Sequence, residues 1–167
     1  MRRFRGESLH KVDNKGRVSI PAQFRRVLEE SDPDFKNGIN PSCVLVHSQK
    51  GKKCLEGYSI SSINEVDDLV SNLPRYSRER EILERMLNAQ SSYAQIDDNG
   101  RVVLSQKLRE LINVSAEAVF IGMGDKFQIW EPKSYNDDMQ KIEREFEAYD
   151  NSNNPFNLLR SSSILAK

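Results

Sequence analysis

The chain has 167 residues, the length of one domain or of two half-size ones sharing a core, which excludes a large multidomain enzyme. Hydrophobic residues make up 37% of it, and no run approaches the 18 or so apolar residues of a membrane span. Lys plus Arg equals Asp plus Glu at 25 each, yet residues 1–17 set six basic groups against two acids and residues 131–150 set three against seven, so a neutral total hides a dipolar chain.

The first elements come as a pair of short strands around a turn. Val12-Asp13-Asn14-Lys15-Gly16-Arg17-Val18-Ser19-Ile20-Pro21 has an apolar run on either side of Asp-x-x-Gly. Asp bonds its own following backbone and Gly takes a positive φ, so the pattern predicts a hairpin. Pro21 suits the first turn of a helix carrying Phe24, Val27 and Leu28. Two strand-like pieces follow, Cys43–His47 and Cys54–Tyr58, joined by a basic connection with Lys50, Lys52 and Lys53 that we read as a solvated loop.

Ser62-x-x-Glu65 predicts a capped helix with Ile63, Val66, Leu69, Val70 and Leu73 on one face, stopped by Pro74. A second helix is expected from about Ser77 to Ser91.

The opening pattern then returns. Ile96-Asp97-Asp98-Asn99-Gly100-Arg101-Val102-Val103-Leu104-Ser105 repeats it at an offset of 84 residues, and Leu108, Arg109, Leu111 and Ile112 fall on Phe24, Arg25, Val27 and Leu28. Ser105, where the first copy has Pro21, is placed to be an N-cap. Ala118–Gly122 and Phe127–Trp130 complete the second copy, so each half reads strand-strand-helix-strand-strand. Ser134-x-x-Asp137 predicts a last helix with Met139, Ile142, Phe146 and Tyr149 along a narrow seam. From Asp150 onward, Asn, Ser and Pro replace periodicity, and a loosely ordered tail is expected.

The sharpest candidate site is the pair of turns, which puts Arg17 and Arg101 in equivalent places. Two protruding arginines suit phosphates and guanine edges. The other reading is that each pairs with the Asp of its own turn, Asp13 or Asp97, and only fixes the backbone. Arg2, Arg3, Arg5, Lys11 and Lys15 add charge near the first turn. His10, Cys43, His47 and Cys54 follow no compact zinc spacing, no Gly-x-Ser-x-Gly, Walker or His-Glu-x-x-His motif is present, and Gly122-x-Gly124 is too short to mark a nucleotide site. We expect no metal, no cofactor, no catalysis and no small-molecule substrate. Met-Arg-Arg-Phe-Arg-Gly-Glu leads into no apolar signal core, so the expected location is the cytoplasm, with Cys43 and Cys54 reduced. Phe120, Phe127 and Trp130 are read as core.

Phe-Arg-Gly-Glu-Ser-Leu with the first turn and helix over residues 4–28, Cys54-Leu55-x-x-Tyr58, Arg85-Met86-Leu87-x-Ala89, the second Asp-x-x-Gly-Arg, and Gly122-x-x-x-Lys126-Phe127-x-Ile129-Trp130 stand in the order found in the MraZ family of bacterial transcriptional regulators. The resemblance spans residues 4–149. It implies an α+β fold of two pseudo-symmetric, swapped-hairpin-like SpoVT-AbrB halves, residues 7–60 and 92–134, forming one small β-barrel core. Flanking it are a helical connection over 61–91, a C-terminal helix over 135–149 and the tail over 150–167. It also implies a nucleoid-associated homo-oligomeric ring that binds double-stranded DNA at short direct repeats upstream of the division and cell-wall genes. Carried over by position, the DNA contacts are Arg17 and Arg101, with Lys15 and Arg5 beside them. Arg3 and Lys11 join this set by adjacency in sequence. The chain departs from the family in having Asn99 opposite Lys15, Met1-Arg2-Arg3 ahead of Phe4, and His10-Lys11 in its first strand.

Two other functions stay in view. One is a protein-interaction module of the AbrB-like superfamily, docking through the C-terminal helix or tail with DNA binding incidental. The other is a metal or catalytic protein built on Cys43, His47 and Cys54.

Overall fold

The structure is a computed structural model that describes residues 2–47, 51, 53–150 and 152–165, with side chains through residue 160. Its contacts divide the chain into a unit ending at Pro132 and a helical unit from Lys133 onward.

The first unit is α+β. In chain order it has β1 (Glu7–Lys11), β2 (Arg17–Ser19), α1 (Ala22–Ser31), β3 (Ser42–Val46), β4 (Cys54–Tyr58), α2 (Ile60–Ser71), α3 (Arg78–Leu83), β5 (Ser91–Gln95), β6 (Arg101–Val103), α4 (Gln106–Leu111), β7 (Glu117–Gly122) and β8 (Lys126–Trp130). Six strands make one antiparallel sheet in the order β1-β7-β8-β4-β3-β5, and β2 pairs only with β6. Each half therefore gives its first strand to the other half: β1 lies on β7, with His10 opposite Ala118, and β5 lies on β3, with Ala94 opposite Cys43.

These registers carry the internal repeat into three dimensions. Val18 faces Val102 in the small ribbon, and Glu56 faces Gln128 in the middle of the large sheet. Both pairs join equivalent positions of the two halves, so one pseudo-two-fold axis runs through both sheets.

Between the sheets lies the apolar core. Phe24 and Leu28 of α1, Leu108 and Ile112 at α4, and Leu55, Phe120, Phe127 and Ile129 of the large sheet close on Val18 and Val102. Phe4 enters ahead of β1, with its ring 5.3 Å from that of Phe24 and 5.1 Å from that of Phe127. Phe120, Phe127 and Trp130 are buried, as their apolar patterning predicts. In β1 it is His10 that turns inward, edge-on to Phe120 at 5.4 Å, while Leu9 is exposed.

Several local expectations need correction. The Asp-x-x-Gly segments close as hairpin-like turns, with Asp13 N donating to Arg17 O and Asp97 N to Arg101 O, but beyond the turn, and the bridge Val12–Val18 in the first copy, the strands they join part into different sheets. The cap of α2 is Ser59, whose hydroxyl accepts from the Ser62 amide, so Ser62 stands inside the helix, and Leu69 points to solvent. The helix expected over 77–91 is capped by Ser77, becomes a π-helix over Glu84–Ala89 and yields to β5, because Ser91 to Gln95 are drawn into the ladder with β3. Pro21 precedes α1 in extended conformation, whereas Ser105 caps α4 as expected, accepting from Leu108 N at 3.2 Å.

In the second unit, α5 (Pro132–Tyr149) starts two residues before the expected cap Ser134, and Met139, Ile142 and Tyr149 are exposed. The expected loose tail contains a helix, α6 (Phe156–Leu165). Asn154 starts it by accepting from the Phe156 amide, with Pro155 in a position that needs no N–H donor.

Candidate nucleic-acid interface

The two Asp-x-x-Gly-Arg turns have the same construction. Asp13 Oδ1 accepts from the amides of Lys15 and Arg17 at 3.0 and 2.9 Å, and Arg17 Nε donates to Asp13 Oδ2 at 2.6 Å. Asp97 Oδ1 accepts from the amides of Asn99 and Arg101, each at 2.9 Å, and Arg101 Nε donates to Asp97 Oδ2 at 3.1 Å. Hydrogen bonds from the Arg17 and Arg101 backbones hold both carboxyls below the ordinary carboxylate range, helped by the guanidinium groups and the Lys15 and Asn99 amides. Each arginine is thus tied to its own turn through Nε, and its two terminal nitrogens make no hydrogen bond among the described residues.

Gly16 and Gly100 make the turns compact. Both have positive φ, and a Cβ on Gly16 would strike the Leu104 carbonyl while one on Gly100 would strike the Arg25 guanidinium. The halves lock together here: Leu104 N donates to Gly16 O at 2.8 Å and Ile20 N donates to Gly100 O at 3.0 Å.

The β2–β6 pairing sorts side chains by period two. Val18 and Val102 point into the core. Arg17, Ser19, Arg101 and Val103 share the outer face, with Arg17 opposite Val103 and Ser19 opposite Arg101. The two arginines are therefore diagonal neighbours, with backbones about 7–8 Å apart. A two-stranded antiparallel ribbon with cations on its outer face fits the width of a DNA major groove.

The remaining expected residues divide into two groups. Lys15 is exposed beside Arg17 at the first turn, and Lys11 is exposed at the end of β1 opposite Glu117. Arg5 and Arg3 are elsewhere: Arg5 is six residues before Lys11, ahead of β1 and of the positive-φ Gly6, at most about 20 Å away. There they line one concavity with Arg2, Gln23 and Arg26. Arg26 escaped the sequence reading, although the adjacent Arg25-Arg26 pair on an amphipathic helix was a visible signal. Arg2 is paired with Glu30 at 3.2 Å.

The second turn is the less basic of the two. Asp98 and Asn99 stand where the first has Asn14 and Lys15, and Asp98 Oδ1 accepts from Asn40 Nδ2 at 2.8 Å. Of the basic connection after β3, Ser48, Gln49, Lys50 and Lys52 lie outside the described residues.

No group of His, Cys, Asp or Glu among the described residues could hold a metal ion. Cys43 faces the core with Leu45, while Cys54 sits on the opposite face of the sheet, where alternation puts it beside Glu56. Burial pushes the Cys43 thiol up to about 12, which removes its nucleophilicity. Both cysteines are free thiols. No helix among the described residues is long and apolar enough to cross a membrane.

With this geometry in hand, comparison with known proteins is decisive. The family described as "MraZ protein, putative antitoxin-like" matches residues 3–62 and 87–154. The chain belongs to the MraZ family. A "Transcriptional regulator MraZ" from Ruegeria sp. (strain TM1040) is 53% identical over 136 residues, 81% of each chain. One from Cereibacter sphaeroides (strain ATCC 17029) is 40% identical over 139 residues, 79% of this chain and 82% of the relative. A third, from Parvibaculum lavamentivorans, is 38% identical over 135 residues, 81% of this chain and 80% of its own. The MraZ match covers both Asp-x-x-Gly-Arg turns and both N-terminal arginines, Arg3 and Arg5.

Proposed function

We propose that this protein is a sequence-specific DNA-binding transcriptional regulator, without enzymatic activity, that reads double-stranded DNA through the outer face of the β2–β6 ribbon. The observation that carries this reading is the diagonal pair Arg17 and Arg101 on an exposed two-stranded ribbon. Their Nε atoms are fixed by Asp13 and Asp97, so the terminal guanidinium nitrogens are presented in a set direction, at little entropic cost on binding. Phosphate contacts from Lys15, Lys11, Arg5 and Arg3 position the protein, and the ribbon arginines select bases.

The names of the relatives support the regulatory role, and the resemblance to the family implies the rest of the reading. The sites are short direct repeats upstream of the division and cell-wall gene cluster. The two halves, residues 7–60 and 92–134, are SpoVT-AbrB-type domains in a swapped-hairpin pseudo-dimer around a small β-barrel. Several copies form a ring in the cytoplasm, associated with the nucleoid. One chain contacts little DNA, and a ring offering identical ribbons to successive repeats gains affinity through effective concentration. The acidic helix over 135–149 is repelled by the polyanion.

The test is binding to the chain's own upstream DNA and to a repeat-scrambled control, over a range of salt, for wild type and Arg17→Ala/Arg101→Ala. The natural repeats should win by orders of magnitude and the double variant should lose that preference. Equal, weak binding of both DNAs by both proteins would overturn the reading. In that event the exposed seam of Met139, Ile142 and Tyr149 on α5 supports the protein-interaction module. A stoichiometric partner surviving nuclease treatment in a pull-down would identify it.

A further inference from the structure

The N-terminal extension ahead of β1 is fixed by its one apolar residue. Phe4 is buried between the Phe24 and Phe127 rings, Phe4 N donates to Gly124 O at 2.8 Å, and Gly124 N donates back to Phe4 O at 3.0 Å. A Cβ on Gly122 would strike the Arg5 backbone, so the close approach of this segment to β7 depends on glycine.

With Phe4 turned into the core, the alternation of an extended chain sends Arg3 and Arg5 the other way. On the facing side, Gln23 and Arg26 are three residues apart on α1 and so share a helix face. Together with Arg2 they line a concavity of about 460 Å³. Glu30 neutralises Arg2 at 3.2 Å, whereas no acidic side chain lies within ion-pair distance of Arg3, Arg5 or Arg26 among the described residues. Three guanidinium groups free of ion pairs around one hollow, with Glu7, Glu65 and Asp125 in the adjoining hollows, are a site for a doubly charged or repeating anion, because each planar fork can take two oxygens.

The other half has no such site. At the offset of 84, Arg3, Arg5 and Arg26 correspond to Leu87, Ala89 and Glu110, and the matching segment is the π-helix Glu84–Ala89 rather than extended chain. The hollow therefore breaks the pseudo-two-fold symmetry of the fold. The turns break it in the same sense, since Asn14-Lys15 corresponds to Asp98-Asn99.

We propose that Arg3, Arg5 and Arg26 form a second, one-sided phosphate-binding site that clamps the DNA backbone apart from the ribbon and fixes the direction in which the chain lies on its site. This inference rests on the ribbon reading. It adds Arg26, which that reading does not contain, and a polarity: two equal tips about a dyad suit a palindrome, and a one-sided clamp suits a directional repeat.

The test uses the full chain and three proteins: wild type, Arg17→Ala, and Arg3→Gln/Arg26→Gln, whose side chains are exposed and leave Phe4 in place. Affinity for the natural upstream duplex and its scrambled version is measured from roughly 50 to 200 mM salt. The Arg3→Gln/Arg26→Gln variant should bind both duplexes about tenfold more weakly with the log–log salt slope shallower by about 1.8, and the natural-to-scrambled ratio unchanged. Arg17→Ala should instead reduce the ratio. An unchanged slope in the first variant overturns the clamp while leaving the ribbon intact. A shallower slope there with an unchanged ratio in Arg17→Ala keeps the clamp and overturns the ribbon. Calorimetric titration with inorganic pyrophosphate separates the sources of phosphate. Tight binding that depends on Arg3 and Arg26, with no effect of either on duplex affinity, assigns the hollow to a free anion and overturns the clamp.

Discussion

Val18 and Val102 face each other at the centre of the β2–β6 ribbon, each about 1% exposed, and they are the same residue of the two copies of the repeat. The pseudo-two-fold axis passes between them and, on the far side of the core, between Glu56 and Gln128. Truncating either valine removes two methyl groups from a closed core and should cost about 2 kcal/mol. Equal losses for Val18→Ala and Val102→Ala in urea denaturation would match their equivalence. The double variant should fall short of or exceed the sum, since the side chains share one site. Strict additivity would mean that the ribbon tolerates each gap separately.

The glycines of the two turns should not be equivalent. Both have positive φ, which penalises any Cβ by about 1–2 kcal/mol. At Gly16 the added methyl meets the backbone carbonyl of Leu104, which is held by Arg109 Nε at 3.0 Å in a residue whose amide donates across to Gly16 O, so it cannot withdraw. At Gly100 it meets the Arg25 guanidinium, the far end of a flexible side chain. Gly16→Ala should therefore lower the melting temperature more than Gly100→Ala, and the reverse order would show that the Arg25 contact is the more rigid.

Much of this fold could be read from residue patterns. The offset of 84, the two turns, the helix faces with Phe24 and Leu28 or Leu108 and Ile112, and the membership of Phe120, Phe127 and Trp130 in the core follow from local spacing. What spacing does not carry is the partner of a strand. Glu7–Lys11 and Arg17–Ser19 look like two arms of one hairpin, yet β1 finds β7 more than 100 residues away, because the pseudo-dyad exchanges the first strands. The same limit applied to the candidate site. Arg5 and Lys11 are neighbours in sequence but fall at opposite ends of an extended strand, and Arg26 reaches Arg3 and Arg5 only because Phe4 pins the chain against α1.

Beside the pseudo-dyad lies a buried ion pair. Glu56 is 2% exposed and accepts from Lys126 Nζ at 2.6 Å and from the Tyr58 hydroxyl at 3.0 Å, and burial, followed by this contact with the carboxylate, pushes the phenol above its ordinary range. Removing only the cation leaves a buried carboxylate, so Lys126→Met should cost about 3 kcal/mol, the low end of such losses because Tyr58 still donates. Glu56→Gln/Lys126→Met should recover a good part of it. A double variant as unstable as Lys126→Met would show that Lys126 acts through packing.

His10 introduces a pH dependence close to neutrality. Partial burial against Phe120 lowers its pKa from the ordinary value, so the folded chain prefers the neutral ring. Stability from this preference is complete above the unfolded value near 6.5 and declines as pH falls toward the folded one. His10→Gln should flatten the stability profile between about pH 7 and 5. A profile that keeps its slope would assign the titration to His47, whose pKa is lowered by burial and then by Lys107.

A second acid limb should come from the turns themselves. Asp13 and Asp97 are held below the ordinary carboxylate range mainly by the Arg17 and Arg101 amides. A lowered folded pKa gives stability that is present above the unfolded value near 3.9 and is lost as pH falls through the folded one. Asp13→Asn/Asp97→Asn keeps the amide acceptor oxygen while removing the charge, so its denaturation midpoint should change less than wild type's below about pH 4. DNA binding near neutrality gives the complementary readout. The substitution frees both arginines from their charged anchors and gives them more conformational freedom to lose on binding, so preference for natural over scrambled repeats should narrow even as net positive charge rises. Rising general affinity with undiminished preference would show that the Nε–carboxylate bonds do not orient Arg17 and Arg101.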